Sequence, residues 1–218
     1  MPISKDRILY EDEHLLAVNK RSFELVVKGS GKVEKLSLLD FLQKEYPGLR
    51  TLHRLDFETS GVVLFARSKE AYEGVRDSNF AGWKKVYCTL VMGRMGRKSG
   101  SIRKPLSARN KKGTVEAVTH YSVLDRFANS SFIEAEIETG RHHQIRKHFA
   151  SIGHPLALDE TYGDKKFNRL FTRELGYKKF LLHAERLELP HPVTGEALRI
   201  EAPLPKPFAG LLKILRLL

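Results

Sequence analysis

Cysteine is nearly absent from the sequence: Cys88 stands alone in 218 residues. A lone thiol excludes an internal disulfide and suits a reducing compartment. No apolar run approaches the length that spans a bilayer, and the start, "MPISKDRILYEDEH", lacks the apolar core of a signal peptide. The expectation is a cytoplasmic protein with no membrane association. There is no G-x-G-x-x-G, no Walker loop, no H-E-x-x-H, no C-x-x-C and no G-x-S-x-G. Nucleotide-cofactor enzymes, zinc hydrolases and serine hydrolases are therefore unsupported. No internal repeat, low-complexity tract or Pro/Ser-rich linker divides the chain, which predicts one domain over 1–218.

Acidic charge is also scarce relative to basic: 38 Lys and Arg face 26 Asp and Glu, a formal net charge of +12. That imbalance favours a polyanionic partner. "RMGRKSGSIRKPLSARNKKG", from Arg94 to Gly113, holds eight basic residues and no acid, among them Lys111 and Lys112. "KKFNRLFTRELGYKK", from Lys165 to Lys179, sets six basic residues against Glu174. Both read as loops that follow a phosphate backbone.

What the chain does contain is a succession of short strands with few helices between them. "RILYEDEHLLAVNK" predicts two strands around an acidic turn, and "TLHRLD" with "GVVLFARS" predicts a strand, turn and strand. "KKVYCTLVMG", "TVEAVTHYSVLDR", "SFIEAEIETG", "FLLHAERLELPHP" and "ALRIEAPL" continue the series. Helices are expected in "LSLLDFLQKEY", from Lys69 to about Asn79, from near His142 to Gly153, and in the tail "PKPFAGLLKILRLL". The class is α+β around a mainly antiparallel mixed sheet.

Chemistry centres on "TLHRLDFETSG". Residue type leaves Asp56 open between a turn cap and a functional carboxylate. Its flanks, Leu55 and the Val62–Phe65 run, imply partial burial, so it needs a counter-charge. Arg54 alternates to the other side. The better source is Arg146 in "ETGRHHQIRKHF", with Arg141 at the start of that helix, where backbone N–H groups attract anions. His142, His143 and His148 lack the i, i+4 pairing of a helical metal site, and adjacent histidines on a helix point apart. Tyr87 reads as a cross-strand aromatic or as a platform for a base. Cys88 reads as a buried structural thiol.

"HRLDFETSG" resembles the HRLDxxTSG signature of the RluA-type pseudouridine synthases. "ILYEDEHLLAVNK", "KKVYCTLVMG", "GRHHQIRKHFASIGHPL" and "LLHAERLELPHPVTGE" resemble further family segments in the same order, so the resemblance spans nearly the whole chain. It implies a bent sheet with flanking helices and a central cleft. It implies isomerisation of selected uridines in structured ribosomal or transfer RNA to pseudouridine, without metal or other cofactor. No additional small RNA-binding domain, of the kind some members have, is expected before the catalytic part. Independently of the resemblance, the default oligomeric state is a monomer. The resemblance carries the catalytic roles onto Asp56, Tyr87 and Arg146 and the apolar wall against the uracil onto Leu182. Arg54, Arg141, Lys111 and Lys112, which the resemblance does not assign, are expected to contact the RNA. The rival is a non-catalytic RNA-binding or chaperone protein on the same scaffold. Two departures stand out: Arg21 where the family has proline, and Leu158 where it has glycine before Asp159. The second predicts a local change in backbone.

Overall fold

In the computed structural model the described residues are 3–28, 36–108 and 113–218. In chain order they form a 3₁₀ turn at Lys5–Arg7, β1 (Ile8–Glu11), β2 (Leu15–Lys20), α1 (Leu38–Leu42), β3 (Arg50–Thr51), β4 (Ser60–Ala66), α2 (Lys69–Asp77) and β5 (Lys84–Met92). There follow β6 (Ser99–Arg103), β7 (Leu106–Ser107), β8 (Thr114–Val115), β9 (Val118–Arg126), β10 (Ser130–Ile137), α3 (Gln144–Ser151), α4 (Lys165–Leu175), β11 (Leu182–Pro190), β12 (Ala197–Glu201) and α5 (Lys206–Leu215). The pairings β1–β2, β2–β4, β3–β4, β5–β10, β9–β10, β6–β9, β7–β8 and β11–β12 are all antiparallel. The α+β expectation is met.

The chain divides into two compact units, one of residues 1–84 with 184–203 and one of residues 85–183 with 204–218. In the first, β4 is buried along its whole length. A strand covered on both faces reads as a continuous apolar run, which is why "GVVLFA" shows no alternation. Leu15, Leu64, Val75, Trp83 and Leu187 pack together in its core. Helix α2 begins at Ser68, whose hydroxyl accepts the Ala71 N–H, and points Ala71 and Val75 inward. Helix α1 opens on a reciprocal capping box between Ser37 and Asp40.

The second unit packs Leu90, Phe132, Phe171, Leu181, Phe208 and Leu212 together. Helix α5 closes this core with Phe208, Leu211, Leu212 and Leu215, as its periodicity predicts, although Leu218 stays 78% exposed beyond the helix end. Among the described residues no helix is long and apolar enough to cross a membrane.

Three local expectations need correction. "KKFNRLFTREL" is helix α4 and not a loop: Asp164 caps it by accepting the Phe167 N–H at 2.6 Å, and Gly176 ends it at φ 64°. Of "TLHRLD" only Thr51 pairs as a strand, at the end of β3. Past Leu52, whose N–H still reaches Leu64 O, the His53 ring takes over as acceptor for the Leu64 N–H at 3.1 Å and the backbone is released. "RMGRKSGSIRKPLSARNKKG", the other run read as a loop, contains β6 and β7, paired to β9 and β8.

Candidate active site

Asp56 lies in the irregular segment between Leu52 and β4, half-buried, with Leu55 on one side and Thr59 and Ser60 buried on the other. The segment is a turn closed by the Thr59 N–H on Asp56 O. It is tied down from β2. The side chain of Lys20 is fully buried, and its ammonium donates to Phe57 O at 3.1 Å and to Arg21 O at 2.9 Å. Phe57 O also accepts the Phe23 N–H at 2.7 Å. Burial pushes the Lys20 ammonium down to about 8, against the upward pull of the carboxylates of Glu24, Asp56 and Glu58. Lys20 was absent from the sequence reading, although "VNK", a lysine ending an apolar strand, carried the signal.

Gly61 follows at φ 115°, where a Cβ would lie 2.1 Å from Ala184 O. This glycine lets β4 run against the backbone of Ala184, and it fixes where the Asp56 turn must end. Arg54 is exposed on this irregular segment, while the His53 ring accepts the Leu64 N–H and lies edge-on to Trp83.

The remaining described candidates belong to the second unit. Tyr87 is in β5 opposite Ala135 and is 8% exposed. Lys85, two residues earlier and so on the same strand face, is also buried, and burial lowers its pKa. Leu182 opens β11 and is buried, behind a Thr89 hydroxyl that donates to Leu181 O at 2.6 Å.

Arg146 is the most heavily constrained. Helix α3 starts at Gln144, later than expected, because His143 holds a left-handed conformation at φ 55°. The buried Gln144 amide anchors that start: its Oε1 accepts from Thr139 Oγ1 and from the Arg141 N–H, and its Nε2 donates to Val118 O at 2.8 Å. One N–H of the expected anion site at Arg141 is therefore already used; the Arg141 side chain is exposed. Arg146, two residues after Gln144, is only 4% exposed. Its guanidinium makes a double hydrogen bond to Asp159, adds one to Thr161 Oγ1 at 3.1 Å, and lies between the rings of Tyr162 and Phe180.

Asp159 is 1% exposed. Burial alone would raise its pKa, but the Arg146 guanidinium and the N–H groups of Tyr162 and Thr161 outweigh that and hold the carboxyl below its usual range. Leu158 before it has φ 60°, in the left-handed region that favours glycine. The Leu158 side chain is buried with Leu181 and Phe171.

His142 and His143 precede the helix, so they stack with ring centroids 3.8 Å apart instead of pointing apart. His143 Nδ1 lies 3.1 Å from the Tyr162 hydroxyl. His148 is buried between Thr119 Oγ1 and Lys104 O, and burial lowers its pKa. Lys111 and Lys112 lie outside the described residues.

Residues 14–151 match the family described as RNA pseudouridylate synthase. The chain is 36% identical, over 224 aligned residues, to the ribosomal large subunit pseudouridine synthase C of Salmonella typhi, with 97% of this chain and 70% of that protein covered. The protein of that name from Escherichia coli (strain K12) gives the same identity and coverage. A solved structure, human RNA pseudouridylate synthase domain containing 4, superposes with a TM-score of 0.79 at 26% identity and covers 97% of this chain and 93% of that one. A second, human RNA pseudouridylate synthase domain containing 1, shares the fold at a TM-score of 0.74 and 23% identity. With the "HRLDFETSG" turn intact and the family match covering most of its length, the chain belongs to the RNA pseudouridylate synthases, isomerases of uridine in RNA.

Proposed function

We propose that this chain, acting as one catalytic domain over 1–218, converts uridine to pseudouridine in ribosomal RNA, with Asp56 as the essential carboxylate. The reaction breaks the N1–C1′ bond, turns the uracil, and joins C5 to C1′; the C5 hydrogen leaves as a proton and N1 gains one. Redox state does not change and no group leaves the nucleotide, so a carboxylate, an aromatic surface and a cation suffice, without metal or other cofactor. The observation that carries the reading is the Asp56 turn itself. A half-buried carboxylate is held in a turn whose next carbonyl, Phe57 O, is gripped by the buried Lys20 ammonium.

In this reading Asp56 acts in its ionised form on the sugar or the base. Tyr87 and Leu182 bear on the uracil so that it recombines before water captures C1′. Arg146 is the catalytic cation, and Arg54, Arg141, Lys111 and Lys112 hold the RNA. The target base must leave its stack, at a cost of a few kcal/mol, which phosphate contacts offset. Ribosomal RNA is favoured over transfer RNA by the names of the similar synthases, which act in the ribosomal large subunit.

The test is tritium release from RNA labelled at uridine C5. Wild type releases tritium from ribosomal RNA of a strain lacking the gene, in the presence of EDTA, and Asp56→Asn releases none. Release by Asp56→Asn at the wild-type rate removes Asp56 from the chemistry. Free uracil without pseudouridine would mark a glycosylase instead.

A further inference from the structure

The "KKFNRLFTREL" helix offers a face that the loop reading could not anticipate. Lys165, Arg169 and Arg173 recur every fourth residue, so they stack along one side of α4 about 6 Å apart. Phe167 and Phe171 lie on the opposite side and pack into the core of the second unit. All three cationic side chains are exposed. Among the described residues Lys165 and Arg169 form no ion pair, and Arg173 has only a loose one with its exposed neighbour Glu174 at 3.5 Å. A solvated helix face of this length ordinarily mixes charges of both signs, with acids four residues before bases. This one does not.

The stripe is also tied to the Arg146 site by hydrogen bonds. Asn168, on α4, donates to Asp159 O at 3.1 Å and accepts the Leu158 N–H at 2.8 Å. Asp159 is the residue that grips Arg146. A depression of about 350 Å³ lies at this junction, lined by Asp159, Glu160, Lys165, Asn168 and Arg169, with two of the stripe's cations on its wall.

We propose that Lys165, Arg169 and Arg173 form a track for consecutive phosphates of the RNA substrate, registered to Arg146 through the Asn168–Asp159 contact. The proposal rests on the functional reading above and adds to it a defined contact surface. A row of evenly spaced cations on a capped helix matches a chain of evenly spaced anions and carries no base information. It therefore sets affinity and register and leaves the isomerisation step alone.

The experiment compares wild type, the triple variant Lys165→Gln/Arg169→Gln/Arg173→Gln, and a control of equal charge loss at exposed sites elsewhere, Lys5→Gln/Lys44→Gln/Lys84→Gln. Circular dichroism checks that all three are folded. The ligand is the ribosomal RNA fragment that wild type modifies. The stripe variant is expected to flatten the plot of log Kd against log salt by about 2 to 3 units and to raise KM roughly tenfold. Its kcat at saturating RNA stays at the wild-type value, and the control moves neither slope nor KM comparably. An unchanged slope and KM, or equal changes in the control, overturns the track. A fall in kcat without a change in slope overturns it too. Absence of pseudouridine in the wild-type reaction would instead defeat the functional reading, so the two failures are distinguishable.

Discussion

Arg146 donates from Nε and Nη2 to the two carboxylate oxygens of Asp159, at 2.7 and 2.8 Å, and both side chains are almost wholly buried. A buried pair of this kind leaves an uncompensated charge when one partner is removed, at a cost of about 3–5 kcal/mol. Asp159→Asn keeps the shape and removes the charge. It should lower the urea midpoint by the equivalent of that cost and, with Arg146 in its proposed catalytic role, cut turnover roughly 10²-fold through misplacement of that group. Because the folded carboxyl titrates below the unfolded one, its stabilisation is complete above the usual carboxylate range and is lost as pH falls below about 4. The stability gap between wild type and Asp159→Asn should therefore close on acidification through that range. A gap that is constant with pH would show that the ion pair is not its source.

Asp159 was legible as a matching residue in "LALDETYG", but its partner was not, since nothing local links positions thirteen residues apart across a helix and a turn. The elements that could be read were those whose signal is local. Helix α2, helix α5, the β1–β2 hairpin, the buried Cys88 and the Asp56 turn all follow from caps, periodicity or motif. Helix α4 carried readable signals as well, an Asp cap and a terminal glycine, which its density of basic residues obscured. The early end of β3 could not be read, because it depends on a His53 ring intercepting a strand's N–H. The burial of Tyr87 beside Cys88 depends on layers covering both faces of β5, which alternation along one strand cannot reveal.

Lys20 gives the first unit a distinct alkaline signature. Its folded pKa of about 8 lies below the ordinary 10.5, so between those values the unfolded chain holds the proton that the folded chain has released. Stability contributed by this group then rises with pH across the window, by about 3 kcal/mol in total, and the full cost of the buried ammonium is present below it. The difference in unfolding free energy between wild type and Lys20→Met, from urea titrations at pH about 7.5 to 10.5, should grow in favour of wild type. A flat difference would mean that the ammonium is not held in its buried position. Lys20→Met should also slow tritium release, because Phe57 O loses its grip beside Asp56.

The end of the Asp56 turn depends on a close approach that only glycine permits. Gly61→Ala meets both a left-handed φ and the Ala184 carbonyl, whereas Gly48→Ala, also at positive φ, finds nothing within 4 Å. The second variant isolates the conformational cost, about 1–3 kcal/mol. Gly61→Ala should lose distinctly more, with a lower urea midpoint and weaker activity, since β4 must move away from Ala184. Equal losses at the two sites would show that the backbones have room to part.

Thr59 supplies the opposite case, a native group whose removal should help. Its hydroxyl is buried in the Asp56 turn and has no hydrogen-bond partner among the described residues. Burying such a group without a partner costs about 1–3 kcal/mol, and the γ-methyl of valine occupies nearly the same space without that penalty. Thr59→Val should raise the urea midpoint by the equivalent of about 1 kcal/mol or more. Tritium release at saturating RNA should stay near the wild-type rate, because a hydroxyl already closed off from solvent cannot reach a bound uridine. A stability loss would reveal that the hydroxyl is satisfied in the folded chain. A rate loss at unchanged stability would place it in contact with the reacting nucleotide, and the turn would then have to open during the catalytic cycle.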